Sequence, residues 1–364
     1  MNIFLLLILI TLLGYAILII RFIVGWEKLP DFESTERNVS TSVAIVTACK
    51  NEKLHLPFLL KAIQAQTYSN FQHIVVDDDS TDGSWTFARD YQYNFTRLKV
   101  LQNEGVGKKE ALKTAIEQTD AELIVTLDAD CRPKAEWLET IVEFYERENA
   151  DLVICPVRMS TDRSFLQNFQ QFDFTSLVGS GAGAVGAGMP ILCNGANLAF
   201  RRQVWLDSLD ELHFEEPSGD DIFLLQSVKR RGGVIRFLKS KTATVVTRPK
   251  ASWKAFFQQR QRWAGKKTAY TDWQLSLTAV LVFMTGFMVL LNLILAVFKQ
   301  GFWMYSILFF LLKWLIDFVF FRQTKDFFEL KNVTGNSFLI SLAYPFYIVY
   351  AAITSFITGS NRNW

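Results

Sequence analysis

An excess of charge of either sign is what this 364-residue sequence lacks: 38 Lys and Arg stand against 36 Asp and Glu, leaving +2. The basic residues are mixed with acidic ones rather than gathered into a stripe, which argues against nucleic acid as a partner. Cysteine is scarce as well. Cys49, Cys131, Cys155 and Cys193 are widely spaced and contain no C-x-x-C pair, so no disulfide framework is encoded and the four read as small buried hydrophobes. Two nucleotide signatures are also missing. No G-x-G-x-x-G follows the first strand-like run, where Thr47-Ala48-Cys49-Lys50-Asn51-Glu52 stands, so a nicotinamide dehydrogenase is not supported. Asn103-Glu104-Gly105-Val106-Gly107-Lys108 misses the G-x-x-x-x-G-K-[ST] spacing, because Lys109 follows Lys108. That removes a Walker-type nucleotidase, although Lys108 near a helix start can still steady a phosphate.

What the chain has in quantity is apolar sequence. Half of its residues are hydrophobic, 32 of them Phe, and they concentrate towards the two ends. The run Ile3 to Val24 would span about 33 Å as a helix, enough to cross a bilayer. No Lys or Arg precedes it and no small-x-small site follows, while Arg21 and Lys28 lie on its far side, so it reads as an uncleaved anchor rather than a signal peptide. Three further spans are expected at Leu275 to Phe298, Phe302 to Phe321 and Asn336 to Thr358. Lys266 and Lys267 flank the second span, and Arg322, Lys325 and Lys331 fill the loop between the third and fourth. The Lys299-Gln300-Gly301 turn is poor in charge by comparison, and Arg362 is the one discordant residue. The bias places the middle of the chain in the cytoplasm and both ends outside, as expected of a multi-pass protein, with a bacterial inner membrane the expected location.

Between the spans, strand-like and helix-like patterns alternate. Strands are expected at Val43 to Thr47, His73 to Val76, Leu98 to Leu101, Leu123 to Leu127 and Leu152 to Val157. Helices are expected at Leu56 to Gln66, Ser84 to Tyr91, Lys108 to Gln118 and Ala135 to Glu148. Repeated βα units of this length predict an α/β fold with a mostly parallel sheet, whose ligands gather at the carboxyl ends of the strands. Gly179 to Gly188 carries five glycines in ten residues. Such a stretch is either a mobile loop or backbone packed very close to something else. Asp221 to Arg231 then looks helical, and Val234 to Leu238 and Ala243 to Thr247 look strand-like. Trp253, Phe256, Phe257, Arg260 and Trp263 recur at helical spacing among Gln and basic residues, as in a helix lying along a membrane surface.

Three acidic clusters punctuate this pattern. Asp77-Asp78-Asp79 follows the apolar run Ile74-Val75-Val76; turn chemistry accounts for Ser80, Thr81 and Gly83 but not for three consecutive carboxylates after a buried strand. Asp128-Ala129-Asp130 follows Leu123 to Leu127. Residues two apart in an extended segment project to one side, so both carboxylates can reach one divalent cation or one ribose-phosphate; Mg²⁺ and Mn²⁺ favour such oxygen ligands. Gly219-Asp220-Asp221 opens a helix, where one Asp can cap and its neighbour can serve as a general base. Lys313 and Asp317, four apart within the third span, read as a structural ion pair.

Taken in order, these motifs resemble the membrane-bound family 2 glycosyltransferases of GT-A fold. Gln259-Arg260-Gln261-Arg262-Trp263 is similar to the Q-x-x-R-W element of cellulose, chitin and hyaluronan synthases and ceramide glucosyltransferases. The resemblance divides the chain into an anchor (1–26), a nucleotide-sugar domain (40–250), an interfacial helix (251–270) and three spans (275–358). It implies Asp221 as catalytic base, with a UDP-sugar contacted by Thr47, Glu52, Asp78, Lys108, Asp128, Asp130 and Arg262. Asp128 and Asp130 would hold Mg²⁺ or Mn²⁺, and Asp220, Gln259 and Trp263 would meet the acceptor. The implied reaction is inverting transfer to a lipid or short glycan. Its alternatives are a processive synthase that exports a polymer and a non-catalytic scaffold that binds a nucleotide sugar.

Overall fold

The computed structural model describes residues 2–35, 39–160, 164–216, 218–264, 271–299 and 301–357. In chain order, α1 (Asn2–Lys28) leads to β1 (Val43–Cys49), α2 (Leu56–Gln64), β2 (Phe71–Asp77), α3 (Ser84–Gln92), β3 (Leu98–Gln102), α4 (Lys108–Glu117) and β4 (Leu123–Leu127). There follow α5 (Trp137–Glu148), β5 (Leu152–Ile154), β6 (Val157–Met159), α6 (Phe165–Gly186), β7 (Asn197–Arg201), α7 (Arg202–Asp207), α8 (Asp220–Arg230), β8 (Ile235–Phe237) and β9 (Val245–Thr247). The last helices are α9 (Trp253–Ala264), α10 (Trp273–Phe298), α11 (Phe302–Phe328) and α12 (Val333–Ile357). Two compact units result. Leu29–Ser160 and Leu192–Arg248 make a sheet unit, whereas Met1–Lys28, Thr161–Ile191 and Pro249–Asn361 make a helical one.

The sheet has the order β3-β2-β1-β4-β7-β5-β8. β1, β2, β3 and β4 run parallel, as do β5 and β8, while β7 is antiparallel to both β4 and β5. β1, β2 and β4 are short apolar runs with almost no exposed position, as expected of strands covered on both faces by helices. Register fixes the working edge. Cys49 pairs with Asp77 and Asp77 with Gln102, so the segments after β1, β2 and β3 leave the sheet side by side. Because β7 is reversed, its start, Asn197, lies opposite Leu127. The segment leading into β7 therefore arrives at the same edge as the segment leaving β4. The expected strand at Leu152 to Val157 is divided: β5 joins the main sheet, and β6 pairs with β9 in a separate two-stranded sheet.

Four helices are long and apolar enough to cross a membrane: Phe4–Lys28, Trp273–Phe298, Phe302–Phe328 and Val333–Thr354. These match the expected number and order of spans. Lys266, Lys267, Thr358 and Arg362 lie outside the described residues. Of the two readings open for the glycine-rich stretch, close backbone packing holds. As far as Gly186 the stretch is the second half of α6, which falls in the helical unit, whereas the expected 40–250 domain runs through it. The reason is close packing on α1: a β-carbon on Gly183 would stand 2.2 Å from the Phe22 carbonyl oxygen, and one on Gly25 would stand 1.9 Å from the Gly183 carbonyl oxygen. Glycine costs a helix about 1 kcal/mol against alanine, and here that cost allows two backbones to touch.

Buried polar groups hold the same unit together. Asp317 on α11 accepts from Tyr15 Oη on α1 at 2.6 Å and from Ser341 Oγ on α12 at 3.2 Å, and pairs with Lys313 Nζ at 2.5 Å. Lys313 and Asp317 thus form the ion pair expected from their spacing, and two further helices are tied to it.

Candidate active site

The site is built at the sheet edge. Asp78, only 3 % exposed, follows β2 and is fully engaged by the chain itself. Its Oδ1 accepts from Asn103 Nδ2 at 2.6 Å and from the Gly107 amide at 2.9 Å, and its Oδ2 accepts from Lys50 Nζ at 2.9 Å. Burial opposes ionisation, but the Gly107 amide, Lys50 and Asn103 together hold this carboxyl below the usual range. Asp78 therefore clasps the 103–107 segment, in which Gly107 adopts φ +91°. Glu52 binds His55 Nδ1 through Oε2 at 2.6 Å, and its amide donates to Ser84 Oγ at 2.8 Å. Thr47 differs from the other expected donor-binding residues: it is fully buried within β1, and its hydroxyl lies 3.1 Å from His73 Nε2. β1 runs two residues past the expected end, to Cys49, so Thr47 lies within the covered strand and not at its mouth.

Next to Gly107, Lys108 opens α4 and reaches Asp128 Oδ1 at 2.6 Å. Burial works against its charge, yet Asp128, Asp220 and Asp221 hold the ammonium protonated well above the ordinary lysine value. Gly195 sits among these groups. Its amide donates to Asp221 Oδ2 at 2.9 Å, and its carbonyl accepts from Thr126 Oγ1 at 2.8 Å. A β-carbon there would stand 3.2 Å from Asp220 Oδ2, 3.4 Å from Asp221 Cβ and 3.5 Å from Lys108 Nζ. Asp221 Oδ1 accepts from the Ile222 amide at 2.8 Å, in the first turn of α8, where the helix dipole favours a carboxylate. Asp220 and Asp221 follow Gly219, whose φ of +96° turns the chain into the helix.

Across the strand end, Asp130 Oδ2 accepts from Thr247 Oγ1 at 3.0 Å. Among the described residues no group of three His, Cys, Asp or Glu converges on one point. Two carboxylates on a D-x-D segment suit a hard cation that completes its coordination with phosphate oxygens and water, which is how Mg²⁺ and Mn²⁺ are commonly held, so the donor set fits the expected metal. The structure thus gathers Lys108, Asp128, Asp220 and Asp221, with Asp78 joined to them through Gly107.

Gln259, Arg262 and Trp263 lie on α9, in the helical unit. The centre of that helix is a residue the motif leaves unspecified. Arg260 is 3 % exposed and pairs with Asp173 of α6, its Nε at 2.8 Å and Nη2 at 2.6 Å from one carboxylate oxygen. Its guanidinium carbon lies 4.1 Å from the centre of the Trp263 ring, and its Nη1 donates to Gln259 Oε1 at 3.1 Å. One face of Trp263, expected to meet a sugar, is therefore covered by Arg260. Burial lowers the Arg262 pKa from its ordinary value. Asn197, at the start of β7, is structural. Its amide accepts from Trp137 Nε1 and donates to the Pro156 and Ala243 carbonyls. Neither Gly195 nor Arg260 has an individual role assigned from the sequence, and Asp173 is not singled out there at all. For Arg260 the available signal was its place on one helical stripe with Trp253, Phe256 and Trp263.

Residues 44–205 match the family model described as glycosyl transferase family 2. The chain is 33 % identical over 114 residues to glycosyltransferase AglE of Haloferax volcanii, covering 30 % of this chain and 38 % of that protein. It is 33 % identical over 106 residues to undecaprenyl-phosphate 4-deoxy-4-formamido-L-arabinose transferase of Aeromonas hydrophila, covering 28 % and 32 %. These matches span about a third of each relative's length. Among solved structures, mannosyltransferase PcManGT from Pyrobaculum calidifontis, in complex with GDP-Man and Mn²⁺, superposes with a TM-score of 0.55 at 18 % identity, covering 87 % of this chain and 97 % of that one. The architecture is shared with that protein.

Proposed function

We propose that this chain, whose residues 44–205 match the family 2 glycosyl transferase model, moves a sugar from a UDP-sugar to a membrane-associated lipid or short glycan, with inversion at the anomeric carbon. The observation that carries the reading is the convergence of Asp221, Asp220 and Lys108 around Gly195, with Asp128 bound to Lys108. Asp221 takes the proton of the acceptor hydroxyl as its oxygen attacks the anomeric carbon. The bond from that carbon to the diphosphate breaks on the opposite face, and the diphosphate leaves with the electron pair. Lys108, already cationic, meets the negative charge that develops there. Mg²⁺ or Mn²⁺ held by Asp128 and Asp130 would neutralise the diphosphate when bound. Asp78 and Glu52 serve the nucleotide end, Asp78 also by fixing the 103–107 segment. Asp220, Gln259 and Trp263 serve the acceptor, and Arg262 adds a second positive group.

The four apolar helices and the basic bias of the loops support a multi-pass protein with its catalytic domain in the cytoplasm. A lipid acceptor is favoured over an exported polymer by the few polar residues in the spans, chiefly Thr278, Thr285, Asn292, Lys313 and Asp317. The undecaprenyl-phosphate transferase among the relatives supports the same choice. The test supplies purified chain with Mn²⁺, labelled UDP- and GDP-sugars and a membrane extract, and separates lipid-soluble product from polymer. A labelled lipid is expected. A ladder of long chains would overturn the acceptor assignment, transfer only from GDP-sugars the donor assignment, and no release of nucleotide the enzymatic reading.

A further inference from the structure

A groove of about 470 Å³ runs along one face of α1, lined by Ile17, Ile20, Arg21 and Val24, with Lys28 at its end and Ala187, just past α6, on its flank. Positions 17, 21, 24 and 28 follow one another by four, three and four residues and so share one side of the helix. The groove exists because Gly25 gives up its side chain to the contact with Gly183 and because Ala187 is small. Its walls are apolar and open: Ile17 is 58 %, Ile20 55 % and Val24 44 % exposed. Its two cations are also exposed, and neither Arg21 nor Lys28 forms an ion pair among the described residues. Glu27 is exposed too but sits about 100° round the helix from Lys28.

The placement of charge matters most. Phe4–Lys28 is long and apolar enough to cross a bilayer, and both cations lie in its last two turns, with exposed isoleucines directly before them. A ligand matched to this surface has a phosphate at one end and a hydrocarbon chain at the other. A headgroup with its own ammonium would bring an unneeded cation beside Arg21 and Lys28. We propose that this groove holds an anionic phospholipid of the surrounding bilayer, its phosphodiester between Arg21 and Lys28 and one acyl chain along Ile17, Ile20 and Val24. None of these residues belongs to the candidate active site, so the lipid is a resident occupant, not a reactant, and the assignment stands independently of glycosyl transfer.

The full chain is reconstituted in nanodiscs of equal phosphatidylglycerol and phosphatidylcholine, and the lipids retained on extraction are counted by native mass spectrometry. The unaltered chain is expected to keep phosphatidylglycerol at least tenfold over phosphatidylcholine. Arg21→Gln with Lys28→Gln should abolish that preference, and Arg21→Lys with Lys28→Arg should keep it. Because cations flanking a span also set its orientation, Ala187→Leu decides the matter: it fills the groove, leaves both charges, and should reduce phosphatidylglycerol to the phosphatidylcholine level. Retention by Ala187→Leu equal to that of the unaltered chain would overturn the site. Conversion of the retained lipid to a glycosylated product on addition of donor would overturn its role as a resident.

Discussion

A β-carbon at Gly195 has almost nowhere to go, since Asp220, Asp221 and Lys108 already surround the position. Gly195→Ala should leave the melting temperature nearly unchanged, because Asp220 can give way by a few tenths of an ångström. It should lower turnover by about tenfold to a hundredfold through misplaced carboxylates. Asp221→Asn keeps the shape and removes the base, so transfer should fall by about 10² to 10⁴ while nucleotide binding, read by calorimetry, persists. His73 offers a test that needs no substrate. Burial holds its imidazole down to about 3, whereas the unfolded chain titrates near 6.5. Between those values the unfolded state binds the extra proton, so stability is full above pH 6.5 and is lost as pH falls towards 3, by on the order of 5 kcal/mol. Thermal melts across that window should show the slope, and His73→Leu should flatten it. Most of the carboxylates were legible in the sequence because each ends an apolar run or opens a helix. The complete engagement of Asp78 and the position of Gly195 were not, since both depend on partners far along the chain.

At the scale of elements, legibility followed how far local pattern and tertiary environment agree. The four spans and the strands β1 to β4 were readable because length, hydrophobicity and burial coincide there. α6 was not, because five glycines speak against a helix unless another backbone lies against them. Gly183→Leu should therefore separate α1 from α6, and overpacking alone should cost about 1–3 kcal/mol in thermal melts in detergent. A larger melting shift than for the same change at Gly188, where a β-carbon meets nothing within 4 Å although φ is +73°, would confirm that the crossing matters. α9 teaches a related lesson. Its motif names Gln259, Arg262 and Trp263, but the buried pair of Arg260 with Asp173 orients the helix, and no local pattern announces a partner 87 positions away.

For the whole molecule, the division into two units means that no single cut isolates either. Thr161–Ile191 interrupts the sheet unit in sequence while belonging to the helical one. A fragment of residues 40–250 should therefore carry α6 without α1, and size-exclusion chromatography should find it aggregated in buffer and dispersed in detergent. The reversed strand β7 has a consequence of its own for biosynthesis. β4 is complete at Leu127, yet its neighbour in the sheet begins only at Asn197. While the ribosome makes the intervening stretch, one side of β4 and both sides of β5 remain open edges able to pair with another nascent chain, because β8 follows later still. Translation pauses before residue 197 should thus be the moment of greatest risk, and the arrival of five residues, Asn197 to Arg201, closes the β4 edge and the facing edge of β5 at once, leaving only the β8 side of β5.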